Sequence, residues 1–190
     1  VILDGGDCKI GLESTIVSCV DEVPRVLRPG SITVSQLRAV VPGLMDGAAA
    51  SGPRVPGSDA KHYAPSMPLS IVTSGKLEEV VAQLTSEHER VAVLATRPPR
   101  VANRFMTWIN AGRRAEVYGR DLYVNLRTLD KSGAREILVE EVPPGEPWDA
   151  VRDRLRRAAS AENVVSVDPD IAALRADFGE DARTASLTGA

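Results

Sequence analysis

Between residues 68 and 160, short apolar runs alternate with segments whose apolar positions recur every three or four residues. Leu69-Ser70-Ile71-Val72 is followed by Leu77, Val80, Val81 and Leu84 at helical spacing, and then by Val91-Ala92-Val93-Leu94-Ala95. Residues 115–118 read as a further strand, Leu122, Leu126 and Leu129 as a helix face, Ile137-Leu138-Val139 as a strand, and Val151, Leu155 and Ala159 as a last helix. Strands without polar alternation need cover on both faces, which a parallel sheet obtains from right-handed crossover helices. The expectation is an α/β chain in which residues 68–160 form a small Rossmann-like parallel-sheet domain. No G-x-G-x-x-G follows any of its strands, so topology alone assigns no dinucleotide.

Upstream, the composition changes. Gly, Ala, Ser and Pro dominate between about residues 43 and 68, a stretch with neither helical nor strand period, and the expected connector is 46–67. Before it, Ser14 to Val20 and Arg25 to Arg28 read as two strands joined by a polar turn at Asp21-Glu22. A short helix follows: Thr33 and Gln36 fit a capping box, and Leu37, Val40 and Val41 supply an apolar stripe. The chain opens on Val1-Ile2-Leu3-Asp4-Gly5-Gly6, an apolar run into a turn that reads as entry in mid-domain. Residues 161–190 carry six acids and two arginines and form an acidic tail.

Charge and cysteine usage narrow the class. With 190 residues, 43% hydrophobic content and a net charge of −3, the chain is neither disordered nor collagen-like, and it lacks an overall cationic field for nucleic acid or anionic lipid. Cys8 and Cys19 have no zinc-type partners, and no signal peptide or long apolar run is present, so the expected setting is cytoplasmic, with reduced thiols and no membrane contact.

Three places carry candidate chemistry. Gly11-Leu12-Glu13-Ser14-Thr15 brings a carboxylate and two hydroxyls to a strand entry, suited to a small polar ligand or to local backbone bonding. Arg28 stands at a strand end before the rigid Pro29-Gly30 turn, where a fixed guanidinium grips phosphate or carboxylate with two parallel hydrogen bonds. Ser14 and Arg28 fall on neighbouring strands of the expected hairpin. His62-Tyr63 in the connector suits a nucleobase or phosphate, or else buries its ring as an anchor. No metal-ligand spacing, Ser-His-Asp order or P-loop is present. Arg152, Arg154, Arg156 and Arg157 read as the solvated face of the last helix.

Taken in order, Leu3-Asp4-Gly5-Gly6, Gly11 to Val17, Leu27-Arg28-Pro29-Gly30, and Pro56-Gly57 with Lys61-His62-Tyr63-Ala64-Pro65 resemble the Sua5 family of threonylcarbamoyl-AMP synthases. Leu122-Tyr123, Leu126-Arg127, Leu129-Asp130 and Arg152-Asp153-Arg154-Leu155 resemble its second domain. The resemblance implies that residues 1–45 are the C-terminal end of a YrdC-type catalytic domain, 46–67 a linker and lid, and 68–160 the Sua5 domain. It implies L-threonylcarbamoyladenylate synthesis from L-threonine, bicarbonate and ATP, with Mg²⁺ expected. The product would pass to a downstream threonylcarbamoyl transferase for N6-threonylcarbamoyladenosine in tRNA, which is a partner only indirectly. Matched by motif, Ser14 is the threonine contact, and Arg28 and Tyr63 are ATP contacts.

The chain also departs from the family. The larger first part of the YrdC-type domain has no counterpart, and Gly57-Ser58-Asp59-Ala60-Lys61 differs from the usual Gly-Met-x-x-Lys. The expectation is therefore a chain that is inactive alone, with strands in 1–45 that lack sheet partners and an exposed apolar face. A different class stays open: a non-catalytic module that binds nucleotide or a protein partner through its 68–160 domain.

Overall fold

Polar Asp21 and Glu22 interrupt the first apolar runs, and the chain reverses there. In the computed structural model, which describes residues 1–6, 8–47 and 64–159, β1 (Ile16–Ser18) and β2 (Arg25–Arg28) pair antiparallel, with Ile16 opposite Arg28. Helix α1 (Val34–Arg38) begins at the expected capping box: Thr33 Oγ1 accepts from the Gln36 amide at 3.3 Å, and Gln36 Oε1 accepts from the Thr33 amide at 2.9 Å. Its expected stripe is not a core face, because the helix ends at Arg38, none of its residues is buried and Val40 is 82% exposed.

The strands of this segment do have partners, contrary to expectation. A two-residue strand that the sequence did not reveal, β3 (Met45–Asp46), pairs parallel with β2 and completes a three-stranded sheet in the order β1-β2-β3. The expected apolar exposure is present. Of the twelve exposed large hydrophobic residues among those described, ten lie in residues 1–47, so most of the uncovered apolar surface belongs to this segment.

Four parallel strands build the second sheet: β4 (Leu69–Val72), β5 (Val91–Ala95), β6 (Met106–Asn110) and β7 (Glu136–Glu140), in the order β4-β7-β5-β6. Side chains alternate across it with the period of two that extended backbone imposes. Val72, Val91, Val93, Ala95 and Leu138 meet α2 (Leu77–Ser86), while Leu69, Ala92, Leu94, Ile137 and Val139 meet α3 (Ala115–Asp130) and α4 (Asp149–Ala159). Helices therefore cover both faces, as the uninterrupted apolar runs require.

One sequence expectation fails here. Residues 115–118 are the first turn of α3, not a strand, because Ala115, Tyr118, Leu122, Leu126 and Leu129 share one helical face toward the sheet. The missing strand is β6, an edge strand only partly buried, whose Thr107 and Asn110 are exposed and whose apolar signal is correspondingly weak. At the entry to β4, Asp130 at the end of α3 accepts from the Met67 amide at 2.9 Å and from the Ser66 amide and hydroxyl at 3.1 Å.

Candidate functional site

The strap Gly11 to Thr15 enters β1 beside the end of β2. Arg28, 6% exposed, donates from Nε at 3.1 Å and from Nη2 at 2.9 Å to the Ser14 carbonyl oxygen, and its Nη2 lies 3.5 Å from Ser14 Oγ. A buried guanidinium is thereby aimed at an exposed serine. Thr15 is bonded to backbone, though not to the local backbone that the sequence suggested: its Oγ1 donates at 2.7 Å to the carbonyl of Ile32, 17 residues on. Gly30 is required where it stands, since a Cβ there would lie 2.2 Å from the Thr15 amide nitrogen. Ser14 and Arg28 are thus brought together, whereas Tyr63, with His62 and the connector residues 48–63, lies outside the described residues.

Glu13, one residue before Ser14, is held by the second sheet's helices. Tyr123 of α3 donates its hydroxyl to the two Glu13 carboxylate oxygens at 2.9 and 3.0 Å, and Arg154 of α4 donates from Nε at 2.6 Å. Partial burial is the largest single influence and pushes the Glu13 carboxyl upward, but the hydrogen bonds from Arg154, its own backbone amide and Tyr123, with the Arg154 charge, together outweigh it and the group sits below the usual carboxylate range. The Tyr123 phenol is pushed up, first by burial and then by its bond to that carboxylate. Arg154 is 6% exposed, which corrects its reading as part of a solvated helix surface. The error has a tertiary cause: the strap covers this turn of α4, and no local pattern announces a partner 141 residues away.

A second charged cluster, which sequence reasoning missed, closes the carboxyl edge of the parallel sheet. Buried Glu140 at the end of β7 accepts from the Thr96 amide and hydroxyl, both at 2.7 Å, and from Arg97 Nε at 3.0 Å; Arg97 also pairs with Glu78 at 2.7 Å. Burial raises the Glu140 carboxyl most strongly, but the Thr96 amide and hydroxyl, the Arg97 charge and a bond from Ser74 together outweigh it, and the group ends low. All these partners are internal, so the cluster reads as structural. A cleft of about 280 Å³ runs between the Pro29-Gly30 turn and α4, lined by Asp46, Glu146, Asp149, Asp153 and Arg152 among others, and it includes neither Ser14 nor Arg28. Among the described residues, no group of three or more His, Cys, Asp or Glu is placed to hold a metal ion. Cys8 and Cys19 are free and exposed, and no described helix is long and apolar enough to cross a membrane.

The fold and this site define a two-part α/β chain in which a short mixed sheet carrying a hydroxyl and a guanidinium docks on a Rossmann-like parallel sheet. A family model described as threonylcarbamoyl-AMP synthase, C-terminal domain, matches residues 32–160, and the chain belongs to that family. It is 34% identical over 168 residues to the threonylcarbamoyl-AMP synthase of Bacillus subtilis, covering 83% of this chain and 48% of that protein. The enzyme of the same name from Pyrococcus abyssi is 31% identical over 169 residues, with the same two shares. The crystal structure of P. abyssi Sua5 complexed with L-threonine superposes with a TM-score of 0.70 at 27% identity, over 85% of this chain and 49% of that one. The chain thus spans about half the length of these relatives.

Proposed function

We propose that this chain is the C-terminal part of an L-threonylcarbamoyladenylate synthase and that it turns over only together with the rest of the catalytic unit. In this reading, residues 1–45 end the catalytic domain, 46–67 connect, 68–160 form the Sua5 domain and 161–190 a tail. Ser14 contacts threonine, and Arg28 and Tyr63 contact ATP.

The observation that carries the reading is the Ser14–Arg28 pair. The two residues that match the family's threonine and phosphate contacts are joined by two hydrogen bonds at 3.1 and 2.9 Å. The threonine bound to the P. abyssi relative supports the same substrate. Threonine's amine adds to carbon dioxide supplied by bicarbonate and loses a proton, giving a carbamate. A carbamate oxygen then attacks the α-phosphorus, the bond from that phosphorus to the bridging oxygen breaks, and pyrophosphate leaves with the electron pair. Ser14 orients the amino acid, and the buried charge of Arg28 faces phosphate oxygens where negative charge develops. Mg²⁺ is expected with the nucleotide, where phosphate oxygens and water would supply most of its ligands.

The ten exposed apolar residues in 1–47 support the need for a further part, whose packing would remove that surface from water. A cytoplasmic setting and delivery of the product to a threonylcarbamoyl transferase acting on tRNA belong to the same reading. The test is pyrophosphate release by the complete product of the gene, with ATP, L-threonine and bicarbonate. Release that requires all three supports the assignment; no release sinks it, and equal release by residues 1–190 alone sinks the need for a further part.

A further inference from the structure

The guanidinium of Arg154 bridges the chain neighbours of the Ser14–Arg28 pair. Its Nε donates to Glu13, the residue before Ser14, at 2.6 Å, and its Nη2 donates to the carbonyl of Pro29, the residue after Arg28, at 3.2 Å. One rigid planar group from α4 therefore spans both sides of the site.

The surrounding contacts fix where that group stands. The strap's other residues reach α3 as well: a Cβ at Gly11 would lie 2.0 Å from the Arg120 carbonyl oxygen, and one at Gly119 would lie 3.0 Å from Leu12 Cδ1. Leu12 also packs against the core beneath α3 and α4. Arg154 is 6% exposed and forms a further ion pair with Asp153. Its side chain has little room to adopt another rotamer. Such a bridge between residues 13 and 29 exceeds what docking one surface on another requires, since Gly11, Leu12 and Tyr123 already supply that contact.

We propose that Arg154 is a positioning residue for the synthase site, setting the separation and orientation of Ser14 and Arg28 through Glu13 and Pro29. The inference rests on the functional reading above and assigns the second domain a part in building the site. Substrate geometry tolerates little error, and a displacement near 1 Å at a reacting centre costs about 100-fold in rate. The effect should appear in substrate binding before it appears in folding.

The test uses the complete gene product with Arg154→Lys, which keeps the charge but cannot bridge two acceptors in one plane, and Glu13→Gln. Each is expected to raise the KM for threonine about tenfold, and the double variant should be no worse than the worse single one, because the two residues act as a unit. Tyr123→Phe removes one hydrogen bond and leaves the core intact, so it serves if the other variants fail to fold; about a threefold rise is expected. Amide exchange of residues 14–16 without substrate should quicken in each variant. KM values within twofold of wild type, with only a lowered melting temperature, would overturn the proposal and leave a merely structural ion pair. A wild-type product that neither binds threonine nor releases pyrophosphate defeats the synthase reading instead. The exchange measurement then decides the bridge by itself, and unchanged exchange at residues 14–16 overturns it.

Discussion

Gly11 and Arg120 meet backbone to backbone: a Cβ on the glycine would lie 2.0 Å from the Arg120 carbonyl oxygen, a distance that no side-chain adjustment relieves. Gly119, one residue earlier on the same helix, faces instead the flexible end of Leu12, at 3.0 Å from its would-be Cβ. Gly11→Ala is therefore expected to lower stability by about 3 kcal/mol, at the upper end for overpacking. Gly119→Ala should fall within about 1 kcal/mol of wild type, because relief of the helical glycine offsets the strain on Leu12. Urea denaturation of the two variants checks the contrast, and equal losses would show that the strap is not docked on α3 in this way.

The Glu140 cluster supplies a second test. Glu140→Gln removes the charge that faces Arg97 and weakens the bonds from Thr96, and it is expected to cost about 3 kcal/mol, the scale for breaking a buried pair. Calorimetric melting at neutral pH measures it. A change under about 0.5 kcal/mol, as expected of an exposed pair, would contradict the burial of this carboxylate.

Stability should also depend on pH with a definite sign. Burial is the largest single influence on Glu13, Glu78, Asp130 and Glu140 and raises their carboxyls, but the hydrogen bonds and neighbouring charges gathered at each, led by Arg154, Arg97, the Met67 amide and the Thr96 amide, together outweigh it, and all four end below their ordinary values. The folded chain then binds these protons less tightly than the unfolded chain. Their contribution is complete above about pH 5 and is lost as the pH falls through the lowered folded-state values. Urea midpoints taken from neutral pH downward are expected to fall over that acid range, and a flat profile would refute the four assignments.

Tyr118 is fully buried, packs edge-on against Trp148 with ring centroids 5.4 Å apart, and its hydroxyl has no hydrogen-bond partner among the described residues. Tyr118→Phe keeps the ring contact and removes the unsatisfied group, so a gain of about 1 kcal/mol is expected. A loss on denaturation would show instead that a buried water satisfies the hydroxyl.

Arg28→Lys tests the site itself. Lysine keeps the charge but not the fork that grips the Ser14 carbonyl, and pyrophosphate release by the complete product is expected to fall at least about tenfold. Full activity in this variant would remove Arg28 from the phosphate role.

Local chemistry wrote much of this architecture into the sequence. The apolar runs of β4, β5 and β7, the helical repeats of α2 and α4, and the Thr33 capping box depend on neighbours within a few residues, so they are legible in one dimension. Strands β3 and β6 were not legible, because one has two residues and the other lies at an edge where partial burial leaves a mixed pattern. The motifs around Ser14 and Arg28 marked candidate residues, and only the fold joined them by hydrogen bonds to one carbonyl. The largest reversal is Arg154. On a helix rich in arginine it reads as solvated, yet the strap buries it against Glu13 and Pro29, and a contact made across 141 residues leaves no periodic trace in the chain.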